Sequence, residues 1–222
     1  MLIAIEGIDG SGKGTQAKLL LDRLLAANVS AALVSFPRYS LTHFGRTIGR
    51  FLNGEFGALN DVDPHLAATL YASDRFESKS FLLEQLQQFE VVICDRYVAS
   101  NTAHQGAKRN GAERRALQDW IAQTEYGVFA LPRADLTILL DLSAELAQSL
   151  IAKKAQRDYT DKKADIQEAD VSYLSSVREV YLDVAAAEVN WQRVPVELDG
   201  QIRSIDDISH DIWRIVSLKR GS

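Results

Sequence analysis

The chain has 222 residues, 46% hydrophobic and 25% charged, enough to bury a sizeable core in one α/β domain. Its 25 Lys and Arg against 30 Asp and Glu give a formal net charge of -5, which excludes a general polyanion binder and argues against nucleic acid as a partner. A lone cysteine, Cys94, excludes an internal disulfide, and the chain opens on the apolar run 2–5 rather than on a basic segment and signal core. The expectation is a soluble cytoplasmic protein with no membrane partner, since no apolar stretch approaches the ~20 residues that cross a bilayer.

In chain order, LIAIE at 2–6 reads as a strand apolar on both faces, followed by the glycine-rich loop GIDGSGKGT and a helical pattern at 13–27. AALVSF at 31–36 is a second strand, a long helical pattern spans 62–88, and VVICD at 91–95 is a third strand. A helix at 111–125, the strand DLTILLDL at 135–142, a helix at 143–157 and another at 170–190 follow. The strand VPVEL at 194–198 and a helix at 205–218, with Ile208, Ile212, Ile215 and Val216 on one face, complete the series. Strands apolar on both faces, alternating with helices, predict a three-layer α/β sandwich with a five-stranded parallel sheet. No repeat, low-complexity tract or Pro/Gly-rich linker divides the chain, so 1–222 reads as a single domain. The one composition shift, KKAQRDYTDKKADIQEAD at 153–170, reads as an exposed flap between two helices, with a solvated helix pair as the alternative that composition alone favours.

The order of strand, glycine loop and helix at 2–27 is that of a phosphate-binding loop. Gly7, Gly10, Gly12 and Gly14, with Ser11 among them, let backbone N–H groups turn toward phosphate; the helix N-terminus adds positive potential and Lys13 a mobile charge. The strict pattern has Ser or Thr directly after the lysine as a Mg²⁺ ligand, and Gly14 cannot serve. Thr15 is expected on a phosphate oxygen. The metal would rest on phosphate oxygens, waters and a carboxylate, with Asp95 and Asp9 as candidates. Asp95 ends a strand of a parallel sheet, the end that opens toward the ligand crevice.

Three further pieces, FPRY at 36–39, LYASDRFE at 70–77 and DRYVASNTAHQGAK at 95–108, together with EGIDGSGKGTQ, resemble the thymidylate kinases, the phosphate-loop enzymes that phosphorylate dTMP with ATP. The resemblance spans roughly residues 2–110 with specific motifs and continues more loosely through the flap and the Tyr-rich SYLSSVREVYLDVA. It implies a phosphate-loop kinase fold with a mobile lid at about 153–170, ATP and dTMP as substrates, Mg²⁺ as cofactor, and a homodimer packed through helices. It places Asp9 near the sugar hydroxyl and phosphate of the acceptor, and Tyr39 and Arg96 on that phosphate, with Phe36, Pro37 and Arg38 beside them. Tyr71 is expected to stack on thymine, Arg75 to reach a base carbonyl, Asn101 to pair with the pyrimidine edge through both donor and acceptor, and Ser100 to line the same site.

The resemblance implies that catalysis falls to Lys13, Asp9, Arg96 and a lid cation. Some members carry Arg after the loop aspartate; with Gly10 there, the charge is expected from the flap, from Arg157, with Lys153 and Lys154 as alternatives. His104 departs from the Tyr or Phe usual at its place. An imidazole is smaller and carries a donor and an acceptor, so weaker rejection of a ribose 2′-hydroxyl is expected unless the ring faces away. Two other readings stay open: a kinase of a different nucleotide, since KGTQ also resembles adenylate kinase, and a non-catalytic nucleotide sensor.

Overall fold

The computed structural model describes residues 1–58, 61–152 and 171–221. The predicted parallel sheet is present: β1 (Leu2–Glu6), β2 (Ala31–Ser35), β3 (Val91–Asp95), β4 (Leu136–Asp141) and β5 (Trp191–Pro195), in the order β2-β3-β1-β4-β5. Successive side chains of β1 and β3 enter opposite faces. Ile3, Ile5, Val91 and Ile93 join a core with α1 (Lys13–Ala26), α7 (Ala144–Ile151), α8 (Val171–Ala187) and α9 (Ile205–Gly221). Leu2, Ala4, Val92 and Cys94 join a second core with α3 (Pro64–Glu77), α4 (Lys79–Gln88), α5 (Val98–Gly106) and α6 (Gly111–Ala122). Helices thus cover both faces, which is the three-layer sandwich. A smaller cluster, Ile48, Phe51, Leu52 and Ala67, fastens α2 (His43–Leu52) to α3 beside Tyr39 and Tyr71.

Several boundaries differ from the pattern reading, each for a physical reason. The last strand occupies Trp191–Pro195 rather than 194–198, because β5 is an edge strand with Gln192 and Arg193 exposed and lacks the two-sided apolarity of β1 and β4. Residues 197–202 instead form a short hairpin of β6 (Glu197–Leu198) and β7 (Gln201–Ile202). The pattern at 62–88 is two helices, interrupted at Ser78, where ψ is 0° while the Ser78 N–H still reaches the Asp74 carbonyl and periodicity survives the break. Helix α2 escapes pattern reading because Gly45 and Gly49 lower its propensity; Gly45 is required, since a Cβ there would lie 2.3 Å from the Arg38 carbonyl oxygen.

Strand order fixes where a ligand can sit. From β1 the chain crosses α1 to β2 on one side, and from β3 it crosses to β4 on the other, so the connections diverge between β1 and β3 and open a crevice at their carboxyl ends. Both loops leaving these strands border it. The β1 loop also packs against α7: Gly10 has φ 88°, and a Cβ there would lie 2.6 Å from the Ala147 carbonyl oxygen. Gly12, the residue before α1, has φ 89°, and a Cβ there would meet nothing within 4 Å.

Both glycines are therefore strained by any side chain, and only Gly10 also collides with backbone. Gly12→Ala is expected to cost about 1–3 kcal/mol in denaturant unfolding, the range of a left-handed non-glycine residue. Gly10→Ala should cost more than Gly12→Ala in the same measurement. Equal losses would show that α7 does not press on the loop.

Candidate functional site

A cavity of about 290 Å³ lies at this crevice. Asp9, Asp95, Arg96 and His104 line it together with Tyr71, Arg75 and Asn101. Ser35, Phe36, Pro37 and Tyr39 close the side next to β2, and the Phe36–Pro37 peptide is cis.

The loop end is built around charge. Lys13 begins α1, and its buried Nζ donates to the carbonyls of Gly7 at 2.9 Å and Ile8 at 2.8 Å while lying 3.9 Å from Asp9 Oδ1. Burial, and then the neighbouring Arg96 cation, lower its pKa to about 7 against the attraction of Asp9, Asp95 and Glu6. The Ser11 hydroxyl is buried without a hydrogen-bond partner among the described residues, the condition of a group that a phosphate oxygen would satisfy. Gly14 and Thr15 are exposed at the helix start. A Cβ on Gly14 would stand 3.0 Å from Asp95 Oδ2, so the Asp95 carboxylate faces the first turn of α1.

Arg96 directly follows β3 with φ 67°, a left-handed conformation that costs a non-glycine residue about 1–3 kcal/mol. Its backbone N–H donates to the Ile5 carbonyl at 3.0 Å, its guanidinium pairs with Asp9, and Nη1 donates to Ser100 Oγ at 3.4 Å. Burial opposes the charge most strongly, but Asp9, Tyr181, Asp95 and Tyr39 together outweigh it and hold the guanidinium protonated. The predicted Lys13, Asp9 and Arg96 are thus one contiguous cluster.

Helix α5 forms the wall. Ser100 and His104 are one turn apart, as are Asn101 and Gln105, so two adjacent stripes face the cavity. No side chain next to the start of α5 caps it; Glu6, at the end of β1, does so from across the sheet. Glu6 Oε1 accepts from the N–H groups of Tyr97 at 2.7 Å and Ser100 at 3.2 Å, and Oε2 accepts from Ser100 Oγ at 2.6 Å and the Tyr181 hydroxyl at 2.8 Å. A carboxylate capping orphan helix donors is stabilising, and this one joins the phosphate-loop strand to α5 and α8.

At the far end Arg75 and Asn101 share a partner absent from the pattern reading. Glu125, fully buried in the π-helical turn Gln123–Val128 that extends α6, accepts from Arg75 Nε at 2.5 Å and Nη2 at 2.6 Å. Asn101 Nδ2 donates to Glu125 Oε1 at 2.8 Å and to the Ala68 carbonyl at 3.0 Å. The expectation that Asn101 offers a base both a donor and an acceptor is corrected: its donors are engaged, and Oδ1, which has no partner among the described residues, remains. Both amide atoms of buried Gln105 are likewise without partners there. Tyr71 stands edge-on to Phe51, 6.5 Å between centroids, with its ring on the cavity.

Not every expected residue converges. Arg38 turns away to lie 4.1 Å over the Phe81 ring and lines an adjoining open cleft, while its backbone N–H is held by buried Asp74. Arg157, Lys153, Lys154, Lys162 and Lys163 lie outside the described residues, as does the proposed flap at 153–170. Glu6, Gln105 and Glu125 were missed. Glu6 carried a signal, a lone charge closing an otherwise apolar strand; Gln105 had one in its spacing from Asn101; Glu125 had none. No helix among the described residues is long and apolar enough to cross a membrane.

Comparison with known proteins agrees with this geometry. The sequence model described as thymidylate kinase matches residues 5–205. The thymidylate kinase of Mycobacterium tuberculosis (strain CDC 1551 / Oshkosh) is 37% identical over 188 residues, covering 84% of this chain and 86% of the relative. The human thymidylate kinase is 35% identical over 141 residues, 64% of this chain and 60% of that one. A solved structure of thymidylate kinase from Candida albicans superposes with a TM-score of 0.76 at 26% identity, covering 99% of this chain and 92% of that chain. On sequence and on fold, the chain belongs to the thymidylate kinase family.

Proposed function

We propose that this protein transfers the γ-phosphoryl group of ATP directly to the phosphate of dTMP, giving dTDP and ADP. The observation that carries this reading is the contiguous cluster of Lys13, Asp9 and Arg96, in which Lys13 and Asp9 stand in the phosphate loop while Asp9 and Arg96 line the cavity beside it. An acceptor phosphate is already ionised, so no general base is needed; positioning and neutralisation of charge suffice. Lys13, with its pKa lowered to about 7, is pulled back toward the cationic form by the negative charge of an arriving phosphate, and Arg96 is held cationic throughout. Ser11 and Thr15 serve the donor phosphates, and Asp9 and Tyr39 the acceptor.

The base is chosen by which groups remain uncommitted. Asn101 Oδ1 accepts only, so it fits the N3–H of thymine or uracil and repels the N3 lone pair of cytosine. The Arg75 donors that Glu125 does not take suit the neighbouring carbonyl, and Tyr71 supplies the stacking face.

We assign the Mg²⁺ ion chiefly to phosphate oxygens and water, with Asp95, whose carboxylate faces the first turn of α1, as the protein's carboxylate. Bound there, Mg²⁺ supplies charge neutralisation on the phosphates. Helix α3 leaves Leu66 and Phe76 exposed, and we assign them to a homodimer packed through helices, to be checked by the mass in solution.

An ADP-release assay with Mg-ATP and a panel of dTMP, dUMP, dGMP, AMP and CMP tests acceptor and enzyme together. Turnover with dTMP should be highest and CMP at least about 10²-fold poorer in kcat/KM; preference for AMP or CMP, or dTMP binding without turnover, contradicts the reading. In the same assay Lys13→Met should lose at least about 10²-fold in kcat, because a charge aimed at the transferring phosphate is gone.

The same variant has a stability signature. Lys13 titrates near 10.5 when unfolded and near 7 when folded. Between these values the unfolded chain holds a proton that the folded chain has released, so wild-type stability rises with pH there; below about 7 the full cost of the buried charge is felt. Lys13→Met should therefore gain most over wild type below about pH 7 and progressively less toward pH 10. A stability difference constant across that window would show that Lys13 is not buried as a neutralisable cation.

A further inference from the structure

The open cleft that adjoins the acceptor cavity, about 830 Å³ in volume, carries a charge opposite to that of the chain as a whole. Arg38, Arg46 and Arg50 line it and no acidic residue does, although the formal net charge of the chain is -5. Two of these cations come from α2, where Arg46 and Arg50 lie one turn apart on the side facing the cleft, and Gly49 in the same stripe adds no side chain to fill it. The third stands on the side of α4: the Arg38 guanidinium rests 4.1 Å over the Phe81 ring, which fixes its plane and leaves its N–H edges open.

Protein partners do not account for this cluster. Arg46 Nη1 donates only to the Ser40 carbonyl, at 3.4 Å. Glu77, whose charge acts on Arg46, has its two oxygens engaged by the N–H groups of His43 at 2.9 Å and Phe44 at 3.1 Å, and buried Asp74 is likewise held by Thr42 and the Arg38 N–H. Arg50 pairs with Glu55 at 2.7 Å, but both side chains are exposed, where such a pair contributes little. A cleft lined by one sign of charge focuses its field outward and gathers counter-ions. Guanidinium forks match phosphate oxygens in pairs, and two forks a helical turn apart with a third on the side of α4 suit a chain of phosphates better than a single one. Beside them Leu33 and Val34 of edge strand β2, with the 68% exposed Leu41, offer an apolar surface to whatever the chain carries.

We propose that this cleft is a second, non-catalytic binding site in which Arg38, Arg46 and Arg50 hold a polyphosphate chain, either that of a nucleoside triphosphate or the inorganic chain itself. It is separate from the donor site, since no residue of the phosphate loop lines it. It is not remote from the acceptor, because Ser35, Pro37 and Tyr39 line both the cleft and the cavity, so an occupant rests against the segment that closes the acceptor site.

The test is a calorimetric titration of inorganic tripolyphosphate into protein whose donor and acceptor sites are first filled by a bisubstrate ligand, adenosine and thymidine joined through a phosphate chain. Wild type should bind one further equivalent. The double variant Arg46→Gln/Arg50→Gln, in which both replaced side chains are exposed, should keep the fold and the dTMP turnover of wild type. It should bind tripolyphosphate about 10²-fold more weakly, about tenfold for each charge-assisted contact removed. Replacing tripolyphosphate by dTTP separates the two sources: tighter binding assigns the apolar surface to a nucleoside, and equal binding assigns the site to the chain alone. No further equivalent in the filled wild type, or equal affinity in the double variant, overturns the inference and leaves the dTMP reading intact. Failure of the bisubstrate ligand to bind counts against the dTMP reading instead, and the difference in tripolyphosphate affinity between the unfilled wild type and the double variant then decides the inference.

Discussion

A single buried carboxylate ties the two halves of the site together. Glu6 lies at the end of the central strand, wholly inside the protein, where an unpartnered charge could not persist. Burial raises its pKa, and four donors from Tyr97, Ser100 and Tyr181 work against that rise. Because two of those donors are the opening N–H groups of α5, the helix that walls the cavity is anchored to the strand that launches the phosphate loop. Tyr181 extends the same anchor to α8, which also reaches α5 through Tyr173 and His104. A shift of β1 cannot then move the phosphate loop without moving the cavity wall.

The cationic side of the site depends on the same crowding. Arg96 weakens the charge of Lys13, and Asp9 lies between the two cations. Arg96 holds a left-handed backbone that open solvent would not favour, retained by its bond to the Ile5 carbonyl and its pairing with Asp9. Strain of this kind, held by surrounding bonds and aimed at a cavity, fits a residue placed for its guanidinium rather than for folding. Gly10, pressed against Ala147, leaves no space for a further cation in the loop itself.

Legibility in the sequence followed how local each signal is. The phosphate loop was readable because strand, glycines, lysine and helix are consecutive, and the central strands because β1, β3 and β4 bury both faces. Helix α5 carries no local helix signal, since its cap is Glu6, about ninety residues earlier in the chain, and its cavity-facing stripes are polar. The residue types at Arg75 and Asn101 suggested base recognition, but nothing nearby in sequence announced that Glu125 would take part of their donor capacity. Edge strand β5 lies earlier in the chain than the apolar pattern suggests, because a half-exposed strand lacks the two-sided apolar run that identifies the others.

A donor loop and an acceptor wall held as one unit favour transfer in a single displacement, with no protein group interposed as a phosphoryl carrier. The stereochemical course at phosphorus tests this most directly. With ATP chiral at the γ-phosphorus through sulfur and oxygen isotopes, transfer to dTMP should invert configuration in the dTDP product, as one in-line displacement requires. Retention would mean two displacements through a phosphorylated enzyme, and would contradict the account.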